Sequence, residues 1–190
     1  MAAKKMRYGF KTEANALAEE VRSDLGIDPL DALDPRILAA FLEIPIWALS
    51  EFTEANPAIG HLHDMEPNLF SAVTVFAGPR RTIVHNDAHA PGRQNSNLAH
   101  ELSHGLLHHP PTPALDNKGC RDWNQAVEDE AEWLSGILLV SEAATIAIAK
   151  GKWTKAEAAE HFGVSQQMIQ RRINATGAHR RVGRAQNWRR

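Results

Sequence analysis

Apolar residues recur at helical spacing near the start of the chain. Residues 11–25 place apolar side chains three and four positions apart, which predicts a helix. Asp34 followed by Pro35 has the form of an N-cap and a first-turn proline, and predicts a short second helix over residues 35–42. Residues 44–49 then favour a strand. We assign these N-terminal elements a structural role.

A β-hairpin is predicted next. Residues 71–77 alternate in side-chain character and are rich in β-forming residues, Gly78-Pro79 supplies a turn, and residues 80–85 form the second strand. The preceding residues 50–69 carry prolines and a glycine and are interpreted as loop. The hairpin therefore predicts a small antiparallel sheet.

Helices dominate the rest of the chain. One helix is expected to start at a cap formed by Ser96 or Asn97 and to run to about His109, where two prolines follow. A long helix is expected over residues 123–140, and a smaller Ala-rich helix or turn over residues 141–150. The fold class predicted from these elements is α+β and mostly helical.

The C-terminal part has the form of two short helices joined by a turn. Thr154 is a predicted N-cap, with Glu157 in the capping-box position, and Ser165 caps a second helix that ends before Gly177. This arrangement resembles a helix-turn-helix, and the last ten or so residues are expected to be disordered. At 190 residues the chain fits one domain with a small appendage, which we divide into residues 1–150 and 151–190.

Charge is unevenly distributed along the chain. The net charge is −2, but no acidic residue follows Glu160, whereas the preceding part carries 14 basic and 23 acidic residues. The basic residues after Glu160 are Arg171, Arg172, Arg180, Arg181, Arg184, Arg189 and Arg190. An acidic body thus carries a basic C-terminal end. The single cysteine, Cys120, excludes an intramolecular disulfide, and the absence of a long apolar stretch or a signal peptide predicts a cytoplasmic protein.

Candidate chemistry centres on an H-E-x-x-H motif within the predicted helix that ends near His109. His100 and His104 are four residues apart and share one helix face, so their imidazoles can bind one metal ion, most often zinc. Glu101 is rotated by about 100° from His100, which places its carboxylate beside the metal as a general base. The alternative is a surface helix with two unrelated histidines.

A catalytic zinc site needs a third protein ligand, and the acidic cluster of the long helix offers several candidates. On a helical wheel Glu130 falls within the apolar face, whereas Glu128 and Glu132 face outward or flank it. A carboxylate within an apolar face is costly unless it is paired or bound to metal, so Glu130 is the predicted third ligand. The alternative for Glu130 is a salt bridge with an arginine at the edge of the core.

These residues predict metal-assisted peptide hydrolysis. Zinc held by His100, His104 and Glu130 lowers the pKa of water toward about 7, and Glu101 takes the proton and passes it to the leaving amine. His85 and His108 are candidates for contacts to substrate or oxyanion, between which the sequence does not choose.

The helix-turn-helix-like segment raises a second class of function. The predicted contacts to nucleic acid are Gln166, Gln167, Gln170 and Arg171. The alternative is a two-helix cap with a solvated basic tail, which we favour slightly over DNA binding.

The run from Ala99 to His108 resembles the motif of the ImmA/IrrE metallopeptidases, and residues 130–139 resemble their second signature, a Glu-Ala pair followed by small residues and Leu-Leu. This resemblance implies a zincin-like fold of the gluzincin kind. It also implies a target: a helix-turn-helix repressor that is cleaved to relieve repression in phage, mobile-element or stress-response circuits. The sequence departs from the family at Glu132, at Val140-Ser141 and before Ala99, all outside the proposed ligands.

Two other hypotheses remain open at this point. One is a DNA-binding regulator whose zinc site is structural or vestigial, which loses affinity strongly with salt. The other is a toxin–antitoxin component or repressor-binding partner that acts by association and not by cleavage.

Overall fold

The computed structural model of the chain describes residues 6–66, 68–110 and 124–187. This part of the chain is mostly helical and contains a short 3-10 helix (Leu49–Phe52) after the first strand. The α-helices are α1 (Phe10–Asp24), α2 (Pro35–Phe41), α3 (Pro57–Asp64), α4 (Pro91–Leu106), α5 (Gln125–Leu139), α6 (Glu142–Ala149), α7 (Lys155–His161), α8 (Gln166–Thr176) and α9 (Ala178–Asn187). The strands are β1 (Ile46–Ala48), β2 (Ala72–Ala77) and β3 (Arg80–His85).

The three strands form one sheet in the order β1-β3-β2. The predicted hairpin is confirmed, because β2 pairs with β3 in antiparallel register with Thr74 opposite Ile83. The predicted small sheet is present but mixed and not wholly antiparallel, since β1 runs parallel to β3 with Ile46 opposite Ile83. A parallel partner requires a long connection, which the 3-10 helix, α3 and β2 provide. Strand β2 is thereby left at one edge of the sheet.

One hydrophobic core joins the N-terminal helices to α4 and α5. Its buried side chains include Phe10 of α1, Leu98 and Leu102 of α4, and Leu134 and Leu138 of α5. Leu98 and Leu102 are four residues apart, so one face of α4 is anchored in this core. The histidines of the H-E-x-x-H motif lie on another face of α4. The core therefore fixes the position of the helix that carries them.

A second core lies beneath the C-terminal helices. It combines Ala99 of α4 and Leu139 of α5 with Phe162, Ile169 and Ile173 from the α7–α8 region. The helix-turn-helix-like segment thus packs directly on the two helices that carry the motif residues. The division into residues 1–150 and 151–190 stays a prediction, and this core draws on both segments.

Two buried arginines bind the carboxyl end of α5. Arg22, only 2% exposed, donates to the carbonyl oxygen of Leu138 at 2.7 Å, and Arg172, 4% exposed, donates to that of Val140 at 3.2 Å. The last carbonyls of a helix lack intrahelical partners, and cations favour that end of the helix dipole. These contacts tie α1 and α8 to the end of α5. Arg172, one of the basic residues of the C-terminal end, therefore has a structural role.

The predicted helix caps are confirmed at three places. Asp34 accepts from the backbone N–H of Arg36 at 2.8 Å, Thr154 and Glu157 form the expected capping box, and Ser165 accepts from the backbone N–H of Met168 at 3.1 Å. Each of these caps depends only on residues adjacent in sequence, so local reasoning was sufficient.

Three other expectations are wrong. The motif helix α4 begins at Pro91 and not near residue 97, because the proline opens the helix and the polar residues after it are helical. The segment 50–69, read as loop, contains α3, in which Asn56 caps and Pro57 opens the helix. Residues 181–187, which belong to the last ten or so residues expected to be disordered, are part of α9. The predicted loop 110–122, with Cys120, lies almost wholly outside the described residues.

Within the described residues no single helix is long and apolar enough to cross a membrane. In the part of the chain that the structure describes, one pair of helices, α5 and α6 with a 61° bend between them, reaches that length and composition when taken together.

Candidate metal centre

The three metal-ligand candidates come from two packed helices, α4 and α5. The Nε2 atoms of His100 and His104 lie 3.1 Å apart. A carboxylate oxygen of Glu128, Oε2, lies 3.2 Å from His100 Nε2 and 3.7 Å from His104 Nε2. The ligand atoms of this group all lie within 4.8 Å of one another. Two imidazole nitrogens and one carboxylate oxygen at this spacing fit a single metal ion.

The structure does not bring Glu130, the predicted third ligand, to the two histidines. Its carboxylate lies 3.3 Å from Arg7 Nε and 3.5 Å from His109 Nε2. Glu128 lies beside the histidines in its place. Glu128 was expected to face outward or to flank the apolar face, and its side chain, only 16% exposed, does not face outward. The helical wheel located the apolar face of α5. Which carboxylate meets the histidines depends instead on how α4 crosses the first turn of α5.

Electrostatics keep the Glu128 carboxylate ionised. Its hydrogen bonds with His100 and then with His104 hold the pKa of Glu128 well below its usual value, and this effect exceeds the opposing effect of burial. A negatively charged oxygen directed at two imidazoles is a ligand set ready for a divalent cation, since metal ligands must be deprotonated.

Glu101 lies beside the ligand cluster and not in it. Its Oε2 atom accepts a hydrogen bond of 2.6 Å from the hydroxyl of Thr74 on the edge strand β2. This bond fixes the carboxylate between the motif helix and the sheet. The predicted position of Glu101 next to the metal ligands agrees with this geometry.

A small cleft opens between β2 and α4 at this cluster. Its walls come from the sheet and from the two ligand-bearing helices, with Arg81 of β3 on one side. The lining residues include Val73, Thr74, Phe76, Arg81, Glu101, His104, His109 and Glu128. The side chains of the base candidate and of two ligand candidates therefore face one solvent-accessible space.

His109 belongs to the site but was not predicted. Its Nδ1 lies 2.9 Å from His104 Nδ1, and its side chain is 9% exposed. Burial and then the nearby His104 lower the pKa of His109. Helical spacing could not reveal this contact, because His109 lies beyond the end of α4. It is placed by the positive φ of His108 (53°), which reverses the chain.

The two histidines predicted to contact substrate or oxyanion do not line this cleft. His85, 5% exposed, lies at the end of β3 and faces a different pocket near Arg36. Burial and then the positive charge of Arg36 lower its pKa. His108 is exposed and forms the turn after α4. His109 takes the place in the cleft that the sequence assigned to its neighbour.

The predicted nucleic-acid contacts are partly engaged with the protein itself. Gln166 and Gln167 are exposed at the start of α8. Gln170 accepts from Lys155 Nζ at 3.0 Å, and Arg171 is ion-paired with Glu132. Of the four residues, Gln166 and Gln167 are therefore the two most available for contact with another molecule.

The sequence of residues 55–174, more than half of the chain, matches the IrrE N-terminal-like domain of the M78 peptidases. The chain belongs to this family. The IrrE N-terminal-like match includes the H-E-x-x-H helix, Glu128 and the α7–α8 pair, and it makes the chain a metallopeptidase of the ImmA/IrrE type. The mostly helical α+β architecture with its small sheet is the zincin-like fold expected of such a peptidase. No curated protein is significantly similar to the chain in sequence.

A metallopeptidase requires a metal ion, and the residues of this site fit one. The fit rests on the donor set, two histidine nitrogens and a carboxylate that remains ionised, with the ligand atoms already gathered within 4.8 Å.

Proposed function

We propose that this chain is a zinc-dependent endopeptidase that cleaves a helix-turn-helix transcriptional repressor in the cytoplasm and so relieves repression. One observation carries the enzymatic part of the proposal. His104 and Glu128, two members of the His100–His104–Glu128 ligand cluster, line a cleft that Glu101 also lines. The repressor as substrate follows from the resemblance to the ImmA/IrrE peptidases.

The choice of zinc rests on the ligand types. Two imidazoles and one carboxylate are a ligand set of catalytic zinc sites, which keep a fourth position open for water or substrate. Calcium and magnesium prefer oxygen ligands, so the two histidines argue against them. In this proposal Glu128 replaces Glu130 as the third ligand.

Glu101 is the general base of the proposed reaction. When bound, zinc supplies a Lewis acid that acidifies water and polarises the scissile carbonyl. Glu101 takes the proton of the attacking water and delivers it to the leaving amine. The hydroxyl of Thr74, which donates to Glu101 Oε2, orients the carboxylate.

The edge strand β2 offers a binding mode for the substrate. Among the described residues it pairs with β3 on one side only, and Val73, Thr74 and Phe76 line the cleft. An extended segment of substrate can pair with the free side of β2 and pass over the metal ligands. This mode requires an extended stretch of chain, so a linker between folded parts of a repressor is a better target than an intact helix.

A DNA- or repressor-binding regulator with a structural zinc site is the second candidate function. The exposed Gln166 and Gln167 at the start of α8 favour it. Against it, Arg171 is ion-paired with Glu132, and Arg181 of the basic end is ion-paired with Glu142. A steep loss of DNA affinity with salt would identify this function.

The proposal is tested with the wild-type protein and two variants. We expect about one zinc per chain by mass spectrometry, retained in Glu101→Gln and lost in Glu128→Gln. Purified helix-turn-helix repressors are then incubated with each zinc-loaded protein and cleavage is followed by intact mass. Cleavage by the wild type but not by Glu101→Gln supports the peptidase. Equal cleavage by both, or a wild type that binds no zinc, contradicts it.

A further inference from the structure

We propose that His109 and Glu130 are positioning residues for the metal ligand His104. His109 fixes the ring of His104, Glu130 fixes His109, and Arg7 holds Glu130 at the outer end of this hydrogen-bonded relay. This inference rests on the proposed metal site. It gives a role to the carboxylate that the sequence suggested as a ligand.

The direction of the hydrogen bonds follows from the metal. His104 Nε2 faces His100 and Glu128, so it is the nitrogen available to the ion. The proton of a neutral His104 is then on Nδ1, which donates to His109 Nδ1 at 2.9 Å. His109 must in turn carry its proton on Nε2, which lies 3.5 Å from Glu130 Oε2. Every donor in this chain faces an acceptor.

Glu130 is suited to end such a relay. Its side chain is 12% exposed, and a carboxylate so shielded needs a partner. One oxygen faces His109 and the other lies 3.3 Å from Arg7 Nε. The Arg7 guanidinium also donates to Glu13 at 2.7 and 2.8 Å, which anchors it to α1. Side-chain exposure falls from 52% at Arg7 to 9% at His109, so the relay runs inward from the surface.

Two other roles for these residues fit the geometry less well. His109 as an oxyanion donor would need a free N–H, but both of its ring nitrogens face protein partners. Glu130 as a metal ligand would need an oxygen near His100, but both of its oxygens face Arg7 and His109. A partner that orients a ligating histidine typically contributes about 10–100-fold to metal affinity.

Zinc affinity tests the relay directly. The affinity of the full chain is measured by competition with a chromophoric chelator for the wild type, Glu130→Leu and Glu132→Leu. Glu132 lies on the same helix, is half exposed and faces Arg171, so it is the matched control. We expect Glu130→Leu to weaken zinc binding by about 10–100-fold and Glu132→Leu to leave it unchanged. The visible spectrum of bound Co²⁺ should shift in Glu130→Leu alone, because the His104 ring is released.

A double-variant cycle separates a relay from a general loss of structure. His109→Gln should weaken zinc binding to a similar extent, and adding Glu130→Leu to it should weaken binding little further, because Glu130 acts through His109. Additive effects would overturn the proposal. If Glu130→Leu does not fold, the test rests on His109→Gln alone. An unchanged zinc affinity and Co²⁺ spectrum in His109→Gln would then overturn the proposal.

Two further outcomes are also decisive. Complete loss of zinc in Glu130→Leu with retention in Glu128→Gln would make Glu130 the ligand and overturn the relay. A wild type that binds no zinc would overturn the metal site itself. Failure of the relay alone would appear instead as normal zinc binding by the wild type and the same affinity in Glu130→Leu.

Discussion

The turn after α4 yields a prediction about stability. His108 has a positive φ of 53°, a conformation that costs a residue with a side chain about 1–2 kcal/mol relative to the right-handed region. Its N–H bonds to the carbonyl of Gly105 at 3.1 Å, and the N–H of His109 bonds to that of His104 at 3.0 Å. This pair of bonds is a Schellman motif, in which glycine is the usual residue at the position of His108.

His108→Gly should therefore stabilise the protein. The substitution removes the cost of the left-handed conformation, but glycine also has greater freedom in the unfolded chain, which offsets about 0.5–1 kcal/mol. His108 is exposed, so little packing is lost. The expected net gain is about 0.5–1 kcal/mol, or an increase of about 1–4 °C in Tm for a chain of this size.

The assay is urea denaturation of the metal-free protein, with a calorimetric Tm as a second measure. The midpoint should rise at an unchanged m-value. Glu43→Gly is a matched variant, because Glu43 is exposed, has φ of 55° and forms the same pair of bonds after α2. Ala175→Gly, at an exposed position inside α8, is the opposite control and should lose about 1 kcal/mol.

The same variant tests the site. Zinc affinity should be unchanged in His108→Gly, because the turn that delivers His109 to His104 is retained and His108 does not line the cleft. A fall in stability, or loss of zinc affinity in a folded protein, would refute the assignment of His108 as a turn residue.

Three further predictions concern catalysis, packing and pH. Glu101→Gln should keep zinc and fold but lower the cleavage rate by about 10²–10⁴-fold, measured with a substrate repressor; a smaller loss would exclude Glu101 as general base. Gly92→Ala should lower the midpoint of urea unfolding, because its Cβ would lie 3.1 Å from backbone of the α7–α8 turn, whereas Gly183→Ala in α9, with nothing within 4 Å, should gain up to about 1 kcal/mol. Burial alone would raise the pKa of Asp87, but hydrogen bonds from Ser50 outweigh burial and lower this pKa. The ionised carboxylate therefore stabilises the folded protein at pH values above its unfolded pKa of about 3.9, and this stability is lost as the pH falls through its folded pKa. Asp87→Asn should therefore be less stable than wild type at neutral pH, with the gap in Tm closing in acid; a constant gap would contradict this.

The sequence by itself determined the features that depend on neighbours along the chain. The caps at Asp34, Thr154 and Ser165 need only the next few residues, and the β2–β3 hairpin needs only a turn between two strand-forming stretches. The pairing of His100 with His104 is equally local, because helical geometry alone brings residues i and i+4 together. These features were predicted correctly for that reason.

Only the tertiary structure decided which residues complete the site. Glu128 and Glu130 are two residues apart on one helix and differ by about 200° in direction, so the angle at which α4 crosses α5 selects between them. His109 reaches His104 through a left-handed residue that helical periodicity does not foresee. The parallel pairing of β1 with β3 likewise depends on the path of the intervening chain. The H-E-x-x-H motif can be recognised from the spacing of residues along the chain. Its third ligand and the residue that orients His104 follow from packing between elements distant in sequence.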